Sequence, residues 1–269
     1  VPKPVDLWPP RPGKPEYVKI RAGYRKGENG TAYVQNRPGN GWEHQEGVIT
    51  YQETAQGLDE SVGTLVETLK ATGQLENTLI IYTSDQGFAW GQHGFQHKVA
   101  PYDANIASPF IVSYPGVVPE GKVCETPVGG HDVVPTLFHY AGIDLPWEMH
   151  GKNLAPLLNQ PEAKSDHSVL LAFTGRTYGS DTATIPNGVD AHGDIPWWVS
   201  YRVHEYKYIM NLIAGEVEEL YNLEMDPDEL HNLALDPNHS ELLVEMRKAA
   251  IAEMRRTDCP FVDKLPLGI

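Results

Sequence analysis

The chain predicts an α/β fold, a mostly parallel sheet sandwiched by helices, followed by a smaller α+β unit with an antiparallel sheet and a terminal helix. Three observations carry that prediction. Between residues 48 and 84 a helical pattern, a glycine stop and a β-branched apolar run follow one another. A second apolar run, Phe110-Ile111-Val112-Ser113-Tyr114, comes after a polar loop. Beyond Ser168 the pattern changes to strand alternation and then to one amphipathic helix. Strands of parallel sheets are covered on both faces and therefore read as continuous apolar runs.

Residues 1–47 are rich first in Pro (Pro2, Pro4, Pro9, Pro10, Pro12, Pro15) and then in Gly (Gly23, Gly27, Gly30, Gly39, Gly41), which predicts extended, loop-dominated chain lying on the surface. From Val48 to Leu69, Leu58, Val62, Leu65, Val66 and Leu69 keep the spacing of one buried helical face, and Gly73 stands in the C-cap position. Thr78–Ser84 is then a buried strand that delivers Asp85, Gln86 and Gly87 into a tight turn. Gly129–Gly142 forms a short helix opened by His131 or Asp132, with Pro135 in its first turn, and His131 and His139 are structural. Gly151–Leu158 leads through polar residues to the second unit, so the division falls at 1–165 and 166–269. There, Val199, Tyr201 and Val203 alternate within a β-rich Trp197–Ile213, Glu218–Leu223 is a hairpin return, and Glu241–Arg256 is the terminal helix. Thr177–Asp194, loaded with Gly, Asp and Thr, reads as a surface insertion that could cover a cleft.

The bulk numbers narrow the partners. With 269 residues and 41% hydrophobic content the chain can bury a large core. Its 36 Asp and Glu against 21 Lys and Arg give a net charge of −15, which excludes nucleic acid or an anionic membrane held by bulk electrostatics. An anionic small substrate would need a local cation. No apolar run is long enough to span a bilayer. Cys124 and Cys259 lack any ligand pattern, and pairing and freedom both stay open. The start Val1-Pro2-Lys3-Pro4 reads as a processed or truncated terminus.

The chemistry gathers at the end of the first apolar strand. In open α/β sheets ligands sit outside the carboxyl ends of the strands, so Asp85 and Gln86 are the candidate site residues. They offer only oxygen, which suits a hard divalent cation better than zinc. The loop that follows holds His93, His97 and Lys98; each alone reads as a solvated loop residue, but together, directly after Asp85-Gln86, they form a candidate constellation.

In order, Thr83-Ser84-Asp85-Gln86-Gly87, Gly91-Gln92-His93-Gly94, Lys98, Tyr102-Asp103, Pro109 and Pro115-Gly116 resemble the type I sulfatases of the alkaline-phosphatase superfamily. So do His131-Asp132-Val133-Val134-Pro135-Thr136-Leu137, Gly151-Lys152-Asn153-Leu154, and Glu219-Leu220-Tyr221-Asn222-Leu223 with Asp226-Pro227, Glu229-Leu230 and Asn232-Leu233-Ala234. The likeness runs over residues 48–235. It implies an alkaline-phosphatase-like domain, sulfate-ester hydrolysis and a calcium ion held by Asp85 and Gln86. It also implies that Lys98 contacts the sulfate group, and that His93 and His97 contact substrate or leaving group. The family's nucleophile is a formylglycine made within a Cys/Ser-x-Pro/Ala-x-Arg motif. Neither Cys124 nor Cys259 begins that motif here, and no Ser does, so the chain is expected to be a C-terminal half whose N-terminal half brings the nucleophile and the remaining metal acids. The family carries Asn or His where Gln86 stands and Arg near Ala107. A sulfated carbohydrate substrate and a periplasmic or secreted location follow from the family habit. The alternatives are a phosphomonoester or phosphonate-ester hydrolase of the same superfamily, or a non-catalytic sulfatase-like fragment.

Overall fold

The computed structural model describes residues 5–6, 11–21, 24–26, 32–34, 45–186 and 195–265, with the backbone alone for 19–21, 24–26, 32–34, 45–50 and 96–97. Most of the early Pro and Gly positions, and 187–194 of the expected cleft-covering loop, lie outside the described residues.

Helix α1 (Glu16–Arg21) precedes a short antiparallel pair, β1 (Tyr24–Lys26) and β2 (Ala32–Val34). The segment around α1 is not the surface excursion that its composition predicts. Asp6, Lys14, Tyr17 and Val18 are all buried, because Lys14 finds anionic and aromatic partners inside the protein. Helix α2 spans Gln45–Ala71, longer than the Val48–Leu69 pattern. Its apolar stripe is not a core face: Leu58 is 47% and Leu65 52% exposed, and Val62, Val66 and Leu69 are half-buried. No described element covers it fully.

Strand β3 (Ile80–Thr83), half-buried rather than buried, leads to β4 (Ala89–Trp90), β5 (Gln96–His97), α3 (Asp103–Ile106) and β6 (Phe110–Ser113). The pair formed here runs antiparallel, as single pairs in otherwise parallel sheets do. β3 pairs with β6 antiparallel, Ile80 facing Ser113 and Thr83 facing Phe110. Parallel neighbours need a crossover, usually a full helix. The segment between these strands holds a two-residue ladder, a single 3₁₀ turn at Gln92–Gly94 and a helix of four residues, so the chain turns back instead. Every pair among the described strands is antiparallel.

Helix α4 (Val133–Ala141) ends at Gly142, whose φ of 66° is the left-handed C-cap conformation that glycine adopts at least cost. Ahead of it, buried Asp132 accepts backbone N–H bonds from Gly129 (2.9 Å) and Lys152 (2.8 Å), and its Oδ2 lies 2.9 Å from His167 Nε2. Thr136 Oγ1 accepts from Leu154 N at 2.8 Å. The Gly151–Leu154 segment is thus stitched to the helix start before α5 (Ala155–Asn159) begins.

Four antiparallel strands follow, β7 (Ser168–Phe173), β8 (Trp198–Val203), β9 (Tyr206–Asn211) and β10 (Glu219–Asn222), in the spatial order β10-β9-β8-β7. Residues paired across a ladder share a face, so the registers sort the side chains. One face, with Val199, Tyr208, Met210 and Leu220, packs against Met246, Ala250 and Met254 of α6 (Ser240–Arg256) and Phe261 beyond it. The other carries Leu171, Phe173, Trp198, Arg202, Lys207, Ile209, Glu219 and Tyr221 and packs against Tyr17, Phe95, Ala100 and Tyr102 from the first half of the chain. One core therefore joins the two halves.

Candidate active site

A cleft of about 1010 Å³ opens between the end of β3, the Cys124–Gly130 segment and the second face of the C-terminal sheet. Asp85 and Gln86 line it, together with Asp103, Arg202 and Lys207. The turn is local chemistry: Asp85 Oδ1 accepts from its neighbours' Gln86 N–H (2.9 Å) and Ser84 hydroxyl (3.2 Å), which fixes the carboxylate where the strand ends. Asp85 Oδ2 receives the Lys98 ammonium at 2.7 Å. This hydrogen bond and the lysine's charge hold the Asp85 carboxyl below the usual carboxylate range. Both side chains are solvent-accessible, Asp85 at 68% and Lys98 at 40%, so the pair is open to a ligand.

Gly87 follows on a tight shelf. A Cβ there would stand 2.6 Å from the Ala107 carbonyl oxygen and 2.9 Å from that of Ala104, so only glycine lets the turn rest on α3. The loop between Lys98 and α3 is pinned twice. Trp198 Nε1–H donates to the Val99 carbonyl at 2.9 Å, and Asp103 sits in a charge cluster: Oδ1 is 2.7 Å from Lys207 Nζ and Oδ2 3.2 Å from Arg202 Nη1. The Asp103 N–H donates to Glu229 Oε2 at 2.6 Å, and Lys207 Nζ lies 2.8 Å from Glu229 Oε1. Lys14 extends the cluster, donating to the Glu229 carbonyl (2.7 Å) and the Tyr221 hydroxyl (2.8 Å), 4.0 Å from the Tyr102 ring centre. Burial pushes the Glu229 carboxyl up to about 7 despite Lys207. Burial also works against the charge on Lys207, but Asp103 and Glu229 hold its ammonium above the ordinary range. Asp103 is pushed up by burial and pulled further down by Lys207 and then Arg202.

Of the expected site residues, Asp85 and Gln86 line the cleft, and Lys98, which does not line it, joins them through its ion pair with Asp85. The His97 backbone pairs with Ala89, and its side chain lies outside the described residues. His93 is placed elsewhere. It is 4% exposed, stacked on the Tyr102 ring at 4.0 Å, with Nδ1 2.7 Å from Asp6 Oδ2, and it does not line the cleft. Its burial is the reason: desolvation, then Lys14, bring the imidazole down to about 4, a neutral packing group. The described part of the Thr177–Asp194 loop, 177–186, does not line the cleft either. Asp103, Lys207 and Glu229 were missed by sequence reading. A usable signal was Lys207 inside the apolar run Tyr206–Met210, where an unpaired charge would be costly.

Asp85 and Gln86 present two oxygen donors to one cleft, and the carboxylate already faces a cation, the Lys98 ammonium. These donors fit part of a hard-cation shell. Among the described residues no group of three or more His, Cys, Asp or Glu could hold a metal. Cys124 and Cys259 are free. No described helix is long and apolar enough to cross a membrane.

Known proteins agree with this class of fold. Residues 91–257 match the family model described as N-sulphoglucosamine sulphohydrolase, C-terminal, and residues 15–143 match that described as Sulfatase. The chain belongs to the type I sulfatases of the alkaline-phosphatase superfamily. It is 30% identical over 219 residues to an N-acetylglucosamine-6-O-sulfatase of Bacteroides thetaiotaomicron, a match covering 75% of this chain and 37% of the relative. A protein solved in complex with its substrate D-glucosamine-2-N,6-O-disulfate superposes with a TM-score of 0.68 at 24% identity, over 81% of this chain and 43% of that one, a likeness of fold. The phosphonate monoester hydrolase of Agrobacterium radiobacter superposes with a TM-score of 0.59 at 25% identity, over 74% and 39%. The chain thus spans less than half the length of these proteins.

Proposed function

We propose that this chain supplies the metal-and-anion side of a sulfatase site, in a whole protein that hydrolyses a sulfate ester on a carbohydrate. The observation that carries the reading is the solvent-open Asp85–Lys98 pair, whose Asp85 lines the cleft, within a chain of the sulfatase family. Asp85 and Gln86 would hold the ion, calcium by the hardness of their oxygens. Bound there, calcium would supply positive charge to the non-bridging oxygens of a sulfuryl group. The Lys98 ammonium adds a second positive charge on the same side. Charge spread over those oxygens in the transition state is what such groups stabilise. His97, paired with Ala89 of β4 and next to Lys98, is assigned to the leaving-group side. In this reading residues 1–165 form part of the catalytic α/β domain and 166–269 its C-terminal subdomain. The formylglycine nucleophile and the remaining metal acids come from an N-terminal half, in keeping with the share of the relatives' length matched. The whole protein works in the periplasm or outside the cell, which fractionation of the source cells would check.

The test is release of sulfate from an aryl sulfate and from a 6-O-sulfated glucosamine by the whole protein. Lys98→Ala is expected to lower kcat by roughly a hundredfold or more; an unchanged rate removes Lys98 from the mechanism. A second reading, phosphonate or phosphate monoester hydrolysis, is favoured by the superposition on the phosphonate hydrolase. It requires phosphate or phosphonate esters to outrun sulfate esters in the same assay.

A further inference from the structure

A relay of contacts joins the C-terminal unit to the turn that carries Asp85. Lys207 and Arg202, neighbours across the β8–β9 ladder, both hold the Asp103 carboxylate, and Glu229 takes the Asp103 backbone N–H. Lys207 and Glu229 face each other at 2.8 Å with 1% of each side chain exposed. Asp103 is the first residue of α3, whose turn closes through Ala107 N–H to Asp103 O at 2.8 Å. Gly87 rests, without room for a Cβ, on the carbonyls of Ala104 within α3 and of Ala107 just after it. Backbone packed that closely cannot shift α3 without shifting the Asp85–Gly87 turn.

We propose that the buried Lys207–Glu229 pair, acting through Asp103, is the positioning device of the site, setting α3 as the shelf that aims Asp85 and Gln86 into the cleft. The proposal rests on reading Asp85, Gln86 and Lys98 as the site. Lys207 lines the cleft, but it is 1% exposed and its ammonium is taken up by Asp103 and Glu229; among the described residues no hydrogen bond or ion pair links it or Glu229 to Asp85 or Lys98, so both are assigned a positioning role through Asp103. Outer partners that orient a metal ligand commonly change affinity or rate by roughly ten- to a hundredfold.

The test uses the whole protein at about pH 8, above the Glu229 value of about 7 so that the pair is ionised, with the double variant Lys207→Met, Glu229→Gln. It removes both charges together, so neither is left buried and unpaired. Three readouts are taken: cooperative thermal unfolding, hydrogen–deuterium exchange of peptides covering 84–88, 103–107 and α6, and calcium binding by calorimetry. The expected result is cooperative unfolding and unchanged exchange in α6. Exchange should rise by roughly tenfold or more at both 103–107 and 84–88, with calcium bound roughly ten- to a hundredfold more weakly and kcat lowered more than KM is raised. Faster exchange at 103–107 with no change at 84–88 and no change in calcium affinity overturns the proposal, as does no change at either segment. Where the double variant unfolds, Glu229→Asp, which keeps the charge and withdraws it by one methylene, is judged on the same readouts. A wild-type protein that binds no calcium and releases no sulfate, yet shows the coupled exchange, refutes the functional reading and leaves the mechanical coupling standing.

Discussion

His93 and Glu229 are two buried titratable groups of opposite habit, and their removal one at a time gives a measurement with a definite sign. Burial and nearby Lys14 bring the His93 imidazole from 6.5 to about 4. Below pH 6.5 the unfolded chain therefore takes up a proton that the folded one refuses. The stability His93 contributes is full above 6.5 and is lost as pH falls toward 4. Burial raises Glu229 from 4.5 to about 7, so the folded protein holds that proton longer than the unfolded chain. Its contribution is full below 4.5 and is lost as pH rises toward 7. Between pH 5 and pH 7 each change amounts to about 2 kcal/mol, and the two oppose one another. The carboxyls held low, Asp6, Asp103 and Asp132, titrate below this window. Urea unfolding midpoints of the wild type, His93→Gln and Glu229→Gln across pH 5–7 should therefore diverge in opposite directions. Relative to wild type, His93→Gln becomes less destabilised by about 2 kcal/mol on going down to pH 5, and Glu229→Gln less destabilised by about 2 kcal/mol on going up to pH 7. Differences from wild type that stay flat across the window would refute the burial-driven shift assigned to the group concerned.

Gly87→Ala places a methyl 2.6 Å from a backbone carbonyl that cannot swing aside, so a loss of about 1–3 kcal/mol in urea unfolding, with weaker calcium binding by calorimetry, is expected. Asp85→Asn removes the charged oxygen ligand, and the calcium midpoint should rise by roughly tenfold or more with little change in thermal stability, because Asp85 is exposed. Met254→Ala empties a fully buried position under the C-terminal sheet and should cost about 2–5 kcal/mol, read from the denaturant midpoint, with the calcium affinity of the folded protein unchanged.

Local patterns were legible in the sequence where one element decides its own conformation. The strand that runs out just before Asp85, the helix stopped by Gly142, the alternation of Val199, Tyr201 and Val203 and the terminal helix are all set by short-range periodicity and caps, and the structure has them. What pattern could not give was what lies opposite. The apolar stripe of α2 reads as core, yet Leu58 and Leu65 face solvent because burial depends on a partner element, not on spacing. Lys14, between Gly13 and Pro15, reads as surface chain, yet it is 3% exposed because Glu219 and the Tyr102 and Tyr221 rings, some 90 or 200 residues away, take its charge. The alternating strands misled most usefully. Their polar positions, Arg202, Lys207 and Glu219, look like the solvent side of a half-buried sheet, but that face is the one packed against Tyr102 and α3. Charges on a strand's polar side are ordinarily solvated, so only their pairing in space, Asp103 with Lys207 and Lys207 with Glu229, distinguishes an internal brace from a surface. The candidate site is built the same way: β3 sets the direction of Asp85, while its distance to Lys98 is fixed by a loop anchored at Val99 and Asp103 on a sheet a hundred residues further along the chain.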